Sequence, residues 1–437
     1  MSPQSEQAEA LAVQLISGPG ADRALAAVTR AAQLCVPGAS ASALPTGSWR
    51  LVQLNHRPGA GVTGCFAVMV DRRPSSLPRH RGLRPGEVMV CLSTAPMPRD
   101  AQVTTIQWKG LRFFAWLWPQ DPWLPGLHSA AAPTADLVGD GPVRSVPVGY
   151  RPTRRAVFRV FSGPPAQVNS RAITTRHHDD DQHLAYIKVV RPSRQAELLH
   201  THNLLTLANV PVPRPLATRG DGAVALSPVA GPTVAQVFCG RDTEIPDPEQ
   251  LMAVLDRFPP EVMNLSSRPS WADRVLDHAR SAIGALPDEQ RRVHSLAERV
   301  HTACVSPADS DLVPTHGDFH PGNVILGPHP VDPALGPITG VLDLDNVGPG
   351  RLSDDLACYL AHLWALAGDS PARSHLTILQ RHTRIFDELV EPAELRARTA
   401  GVLISLIGVS ARRHGAEAAK DRLRRAETLM REYERLS

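Results

Sequence analysis

The segment Thr315-His316-Gly317-Asp318-Phe319-His320-Pro321-Gly322-Asn323, followed by Val341-Leu342-Asp343-Leu344-Asp345, holds side chains whose types and spacing could do chemistry. An Asp is followed five residues later by an Asn and twenty residues beyond that by a second Asp. Phosphoryl transfer from ATP needs this inventory. One carboxylate orients the attacking hydroxyl and accepts its proton, while an amide oxygen and a further carboxylate hold the Mg²⁺ that bridges the phosphates. Asp-x-x-x-x-Asn is also the spacing of the kinase catalytic loop, with Gly317 standing where protein kinases carry Arg. On this reading Asp318 is the catalytic carboxylate, with His316 beside it as a second catalytic candidate, and Asn323 and Asp343 are metal ligands.

These residues need a scaffold that brings them together. Residues 323–326 and 338–344 are short apolar runs, and the stretch between them is rich in Gly and Pro. That pattern predicts a hairpin with a long turn. Asn323 would open its first strand and Asp343 would lie near the end of its second, so both would meet at one end of the hairpin beside Asp318.

His-Gly-Asp-x-His-Pro-Gly-Asn followed by a hydrophobic-Asp-x-Asp strand resembles the aminoglycoside phosphotransferase and choline kinase superfamily, over about residues 142–437 and most strongly over 314–360. The resemblance implies small-molecule kinases with a bilobal, protein-kinase-like α+β fold: a β-rich N-lobe and a helical C-lobe. It also implies a strand Lys upstream, followed by a helix carrying a Glu. Residues 184–190 read as a strand. The chain has only three lysines, Lys109, Lys188 and Lys420, because it writes its basic residues as Arg almost everywhere. A Lys kept in mid-strand suggests a compact ammonium on the phosphates rather than a forked guanidinium. Ser193 could cap the following helix and Pro211 and Pro213 could stop it. Glu197, the only acid between Asp181 and Asp221, is then the ion-pair partner expected for Lys188.

No G-x-G-x-x-G precedes Lys188. A hairpin around residues 151–155 takes its place, with turn N–H groups and Arg154 or Arg155 to cover phosphates. Residues 162–183 are polar and include His177-His178-Asp179-Asp180-Asp181; lacking zinc-ligand spacing, they are expected as a loop. Residues 224–231 read as a strand leading into a turn, and the resemblance makes this the interlobe hinge, where backbone groups from Ser227 to Val229 meet adenine. It makes Asp355 the brace of the catalytic loop and Asp345 a substrate-facing acid.

Residues 1–141 read as a separate α+β cap. A helical pattern over 8–36 precedes strands near 49–58, 65–70 and 87–92, which parallel those of the kinase N-lobe but carry no Lys, and a Trp-rich strand over 111–118 follows. This region is a candidate degenerate copy of the N-lobe. The segment Tyr150-Arg-Pro-x-Arg-Arg also looks like that of maltokinase-like bacterial kinases, which carry an extra N-terminal domain. The expected division is 1–141 cap, 142–230 N-lobe and 231–437 C-lobe. A last helix near 416–436, dense in Arg and Glu, should be solvated.

Composition fits a soluble globular chain of two or three domains: 437 residues, 43% hydrophobic, 20% charged, net charge +3. That charge does not call for nucleic acid, and no segment approaches a membrane span. Six cysteines without Cys-x-x-Cys spacing suit reduced thiols in the cytoplasm. The expected ligands are ATP, Mg²⁺ and a small hydroxylated substrate; the oligomeric state is left open. Two other classes stay open: a nucleotide-binding pseudokinase used as a regulatory module, and a protein kinase. Intact Asp318, Asn323, Asp343 and Lys188 weigh against the first. Missing Asp-Phe-Gly and Ala-Pro-Glu elements weigh against the second.

Overall fold

The computed structural model describes residues 3–17, 49–57, 59–69, 82–163, 183–240, 244–304, 312–328, 332–369 and 373–437. Most of the helical pattern over 8–36 and the His177–Asp181 run lie outside them. The chain forms two compact units: residues 1–197 with 215–228, and residues 198–214 with 229–437. The fold class is α+β, with the large antiparallel sheets in the first unit and most helices in the second.

In the first unit, α1 (Pro3–Ser17) precedes β1 (Trp49–Arg57), β2 (Gly61–Met69), β3 (Glu87–Ser93), β4 (Thr104–Trp108) and β5 (Leu111–Leu117). Short helices α2 (Leu127–Ala131) and α3 (Ala135–Val138) lead to β6 (Val143–Arg151), β7 (Arg155–Ser162) and β8 (His183–Val190). Helix α4 (Pro192–Leu207) follows, then β9 (Pro215–Thr218) and β10 (Ala223–Leu226). The two five-stranded sheets are ordered β1-β2-β3-β5-β4 and β6-β7-β8-β10-β9. Each therefore runs first, second, third, fifth, fourth. Only the second inserts a helix between its third and fourth strands.

β2 and β3 are apolar without alternation because both faces are covered. Phe66, Val68, Val90 and Leu92 pack with Ala12 and Ile16 of α1. Cys65, Met89 and Cys91 share a core with Phe158, Val160, Ile187 and Val189 of the second sheet. Strand β4 is missing from the sequence reading; its signal is the Lys109-Gly110 turn, with φ of 50° and 81° at the two residues, between β4 and β5. Helix α4 begins at Pro192, with Arg194 N–H bonded to Arg191 O at 2.8 Å, so Ser193 lies inside the first turn and is not the cap. Pro fits the first helical position because its missing N–H would have no helical acceptor there.

In the second unit, α4 ends before the prolines that were expected to stop it. Asn209 takes φ 57°, Asn209 N–H bonds Thr206 O, and Val210 N–H bonds Leu205 O. This is a Schellman ending, closed by packing of Val210 and Leu205 in one core. Next come α5 (Val234–Phe238), α6 (Pro248–Leu255), α7 (Val275–Ala285) and α8 (Gln290–Cys304). Four short strands follow: β11 (Val313–Thr315), β12 (Val324–Leu326), β13 (Ile338–Val341) and β14 (Gly348–Gly350). Helices α9 (Leu352–Asp369), α10 (Arg373–Phe386), α11 (Pro392–His414) and α12 (Ala416–Leu436) complete it. α11 is central and buried along most of its length, from Ala393 to Ser410. α12 is the expected charged helix with one correction: Arg422 is 1% exposed and pairs with Asp369 at 2.6 Å. Its Nη atoms meet the Asp369 and Asp421 carboxylates and the Ala365 carbonyl, while its buried Nε has no hydrogen-bond partner among the described residues.

Candidate active site

β12 and β13 form the expected hairpin, Val324 opposite Val341, and the ladder extends one step through Leu342 N–H to Asn323 O at 2.8 Å. Asn323 thus lies beside Leu342, the residue before Asp343. A second pair, β11 with β14, brackets the loop from the other side, Thr315 opposite Gly348. Residues 316–323 span the two ladders.

The loop is held by its own polar groups. Asp355, 1% exposed on the first turn of α9, accepts the N–H of His316 at 2.7 Å and of Gly317 at 2.8 Å. Burial nevertheless pushes its carboxyl up to about 7, against the pull of those two N–H groups. His316 is fully buried. Its Nδ1 accepts Asp318 N–H at 3.3 Å, so Nε2 carries the proton, donated to Leu342 O at 3.0 Å. The imidazole therefore ties the backbone of Asp318 to the residue preceding Asp343. Gly317 has φ 73°, and a Cβ there would sit 2.5 Å from Asn346 O. That contact explains the glycine in place of Arg. Phe319, buried against Tyr359 at 5.8 Å, anchors the loop on α9.

Asn323 donates its Nδ2 to Asp318 O at 3.0 Å. A carbonyl partner fixes the amide orientation, so Oδ1 is the atom turned to other uses. Asp343 takes φ 61°, a left-handed conformation that Asp adopts more readily than most residues, and starts the 3₁₀ turn Leu344–Asn346. Half-buried Asp345 lies within that turn.

Around the half-buried Asp318 lie three residues that the sequence reading did not single out. Trp271 Nε1 donates to its Oδ1 at 3.2 Å, Cys358 Sγ approaches the same oxygen at 3.8 Å, and His362 donates Nδ1 to Cys358 O at 2.9 Å. His362 stacks on His320 with 4.4 Å between ring centroids. Burial pushes both imidazoles down to about 4, each disfavoured further by a neighbouring ring. Burial also raises the Asp318 carboxyl above the usual carboxylate range, against His362 and His316. Asp355, Cys358 and His362 follow i, i+3, i+7 spacing on α9, a signal that could have found the last two. Trp271 has no such signal.

The first unit carries the other expected residues. Lys188 is 6% exposed in the central strand β8, opposite Val157 and Val224. Its burial excludes a solvated surface Lys. By alternation it faces away from the core that holds Ile187 and Val189. Glu197 on α4 accepts from Arg194 at 2.8 Å. Arg155 opens β7 opposite Val190, and exposed Arg154 closes the turn before it through an N–H bond to Arg151 O. Ser227 follows β10 at the end of the first unit, and the chain enters the second unit at Val229.

Among the described residues, no group of three or more His, Cys, Asp or Glu side chains could hold a metal by itself, and no helix is long and apolar enough to cross a membrane. The five described cysteines are free thiols.

No curated protein matches the chain. Solved structures do. An aminoglycoside-3'-phosphotransferase of type VIII is 22% identical, with 60% of this chain and 93% of that one covered at a TM-score of 0.36. Aminoglycoside phosphotransferase APH(3'')-Id from Streptomyces rimosus is 19% identical over 60% and 92% at 0.38. An ethanolamine kinase from Plasmodium vivax is 11% identical over 67% and 84% at 0.38. Residues 174–389 match the family model described as the phosphotransferase enzyme family. That match is in line with the motif resemblance to aminoglycoside phosphotransferases and choline kinases.

Proposed function

We propose that this protein transfers the γ-phosphate of ATP to a hydroxyl of a small molecule: a sugar, amino sugar, aminoglycoside or amino alcohol. The observation that carries the reading is the loop geometry, in which Asp318, Asn323 and the residue preceding Asp343 are joined by backbone bonds through His316 and the hairpin ladder. Asp318 orients the acceptor hydroxyl and takes its proton; a raised pKa suits a base working near neutrality. Asn323 Oδ1 and the Asp343 carboxylate fit Mg²⁺, which takes one or two protein oxygens and completes its shell with phosphates and water. When bound, the ion supplies charge neutralisation at the phosphate oxygens. His316 is a positioning residue, since both ring nitrogens serve the backbone.

On the nucleotide side, Lys188 contacts the phosphates with Glu197 as its partner, the β6–β7 turn with Arg154 and Arg155 covers them, and backbone groups from Ser227 to Val229 meet adenine. Asp345 faces the acceptor. The matching strand orders of the two sheets support reading residues 1–141 as a degenerate, Lys-free copy of an N-lobe, 142–230 as the functional N-lobe and 231–437 as the C-lobe. The test is an ATP-consumption screen over sugars, amino sugars, aminoglycosides and amino alcohols, with products identified by mass. A phosphorylated product is expected. A chain that binds ATP and phosphorylates none of these classes would favour the regulatory-module alternative.

A further inference from the structure

Residues 151–154 form a turn closed by Arg154 N–H to Arg151 O at 3.0 Å. Pro152 takes the second position. Thr153, with φ 62°, occupies the third, where such turns normally place Gly. A buried β-branched residue in that conformation is strained and must be held by its surroundings.

The holding groups are two charged side chains, one on each side of the residue. Asp121 Oδ2 accepts Thr153 N–H at 2.6 Å, and Arg191 Nε donates to Thr153 O at 2.7 Å. Asp121 is 2% exposed and fixed by Tyr150 OH at 2.8 Å and Trp123 N–H at 2.9 Å. Arg191 stacks over the Trp123 ring at 4.1 Å. Tyr150 OH also accepts Trp116 Nε1 at 3.3 Å, and Gln53 Nε2 donates to Tyr150 O at 3.0 Å. Gln53, Trp116, Asp121 and Trp123 come from the N-terminal 141 residues. Tyr150 and Thr153 belong to the β6–β7 hairpin, and Arg191 follows β8, the strand of Lys188, directly before α4, the helix of Glu197.

We propose that Asp121 is a positioning residue for nucleotide phosphates: with Arg191 it clamps both backbone polar groups of Thr153 and so sets the β6–β7 turn in register with the Lys188 strand. The proposal rests on the phosphotransferase reading above, which places that turn over the phosphates. It gives the catalytically empty N-terminal region a task in the reaction. Asp121 touches neither nucleotide nor acceptor; it acts through the Thr153 peptide.

The test uses the full chain and two probes, Mg·ATP and adenosine, titrated by calorimetry. Asp121→Asn and Arg191→Gln should each weaken Mg·ATP binding by about tenfold or more while adenosine affinity stays within about twofold, because only the phosphates meet the turn. Adding Thr153→Gly to either variant should restore much of the loss, since glycine holds a positive φ unaided. If Asp121→Asn does not fold, Arg191→Gln carries the same comparison. An unchanged ratio of the two affinities, an equal loss for both probes, or no rescue by Thr153→Gly would overturn the assignment while leaving the phosphotransferase reading intact. Failure of the unaltered chain to bind Mg·ATP would remove both.

Discussion

The indole N–H of Trp271 donates to Asp318 Oδ1 at 3.2 Å, across 47 residues of sequence. The bond holds the carboxylate in one rotamer and stabilises its ionised form against the burial that raises its pKa. Trp271 is itself held in place: Ser270 and Asp273 exchange hydrogen bonds on either side of it, and Asp273 lies 3.8 Å from the buried Arg398, which also pairs with Asp354 at 2.7 Å.

Trp271→Phe keeps most of the packing and removes the donor. Turnover should fall by about tenfold, the scale of one lost hydrogen bond to a charged group, with ATP affinity unchanged. Losing a donor disfavours the carboxylate, so the acid limb of the pH–rate profile should move to higher pH. A profile that superimposes on the unaltered protein's would show that the bond does not tune Asp318.

Gly317→Ala should destabilise the loop, since the new Cβ would lie 2.5 Å from Asn346 O at a left-handed backbone position. The expected cost is about 1–3 kcal/mol, read as a lowered denaturation midpoint at unchanged slope. An unshifted midpoint would mean that the loop relaxes freely, against the picture of a braced segment.

The loop around Asp318 was legible in the sequence because its parts are local. Asp318 and Asn323 sit in one motif, and the hairpin that brings Asp343 alongside has a clear apolar-turn-apolar pattern. Trp271 was illegible because only tertiary packing brings it to Asp318. The same holds for Arg398 and Arg422, buried cations that look like surface residues until their carboxylates are seen. Of the two sheets, β4 and β9 were missed: each is a four- or five-residue edge strand whose pattern is too short to stand out. The strand order shared by the two sheets shows only when all five strands of each are in place, whereas the repeat expected from sequence rested on three.

Asp343→Ala should abolish the strengthening of ATP binding by Mg²⁺ or Mn²⁺, leaving metal-free affinity within a few-fold. Calorimetric titration with and without the metal reads this directly. Equal metal dependence in the variant and the unaltered protein would exclude Asp343 as a ligand.

The stacked pair His320 and His362 gives a stability signature. Both are pushed down to about 4 from an ordinary value of 6.5, so the folded state resists protonating them. Their contribution is fully present above pH 6.5 and is lost as pH falls towards about 4. The melting temperature should drop across that window. His320→Asn, whose side-chain oxygen can still accept the Gly322 N–H that His320 Nδ1 accepts at 3.0 Å, should flatten the slope. An identical slope in the variant would assign the acid sensitivity elsewhere.

The most direct test of the account is Asp318→Asn, assayed with whichever hydroxylated acceptor the unaltered protein phosphorylates. Asn preserves the shape and can still accept from Trp271, but it cannot take the acceptor's proton. Turnover should fall by about a hundredfold or more, the scale of general-base catalysis, while Mg·ATP affinity stays within a few-fold. Turnover equal to that of the unaltered chain would remove Asp318 from the chemistry and contradict the account at its centre.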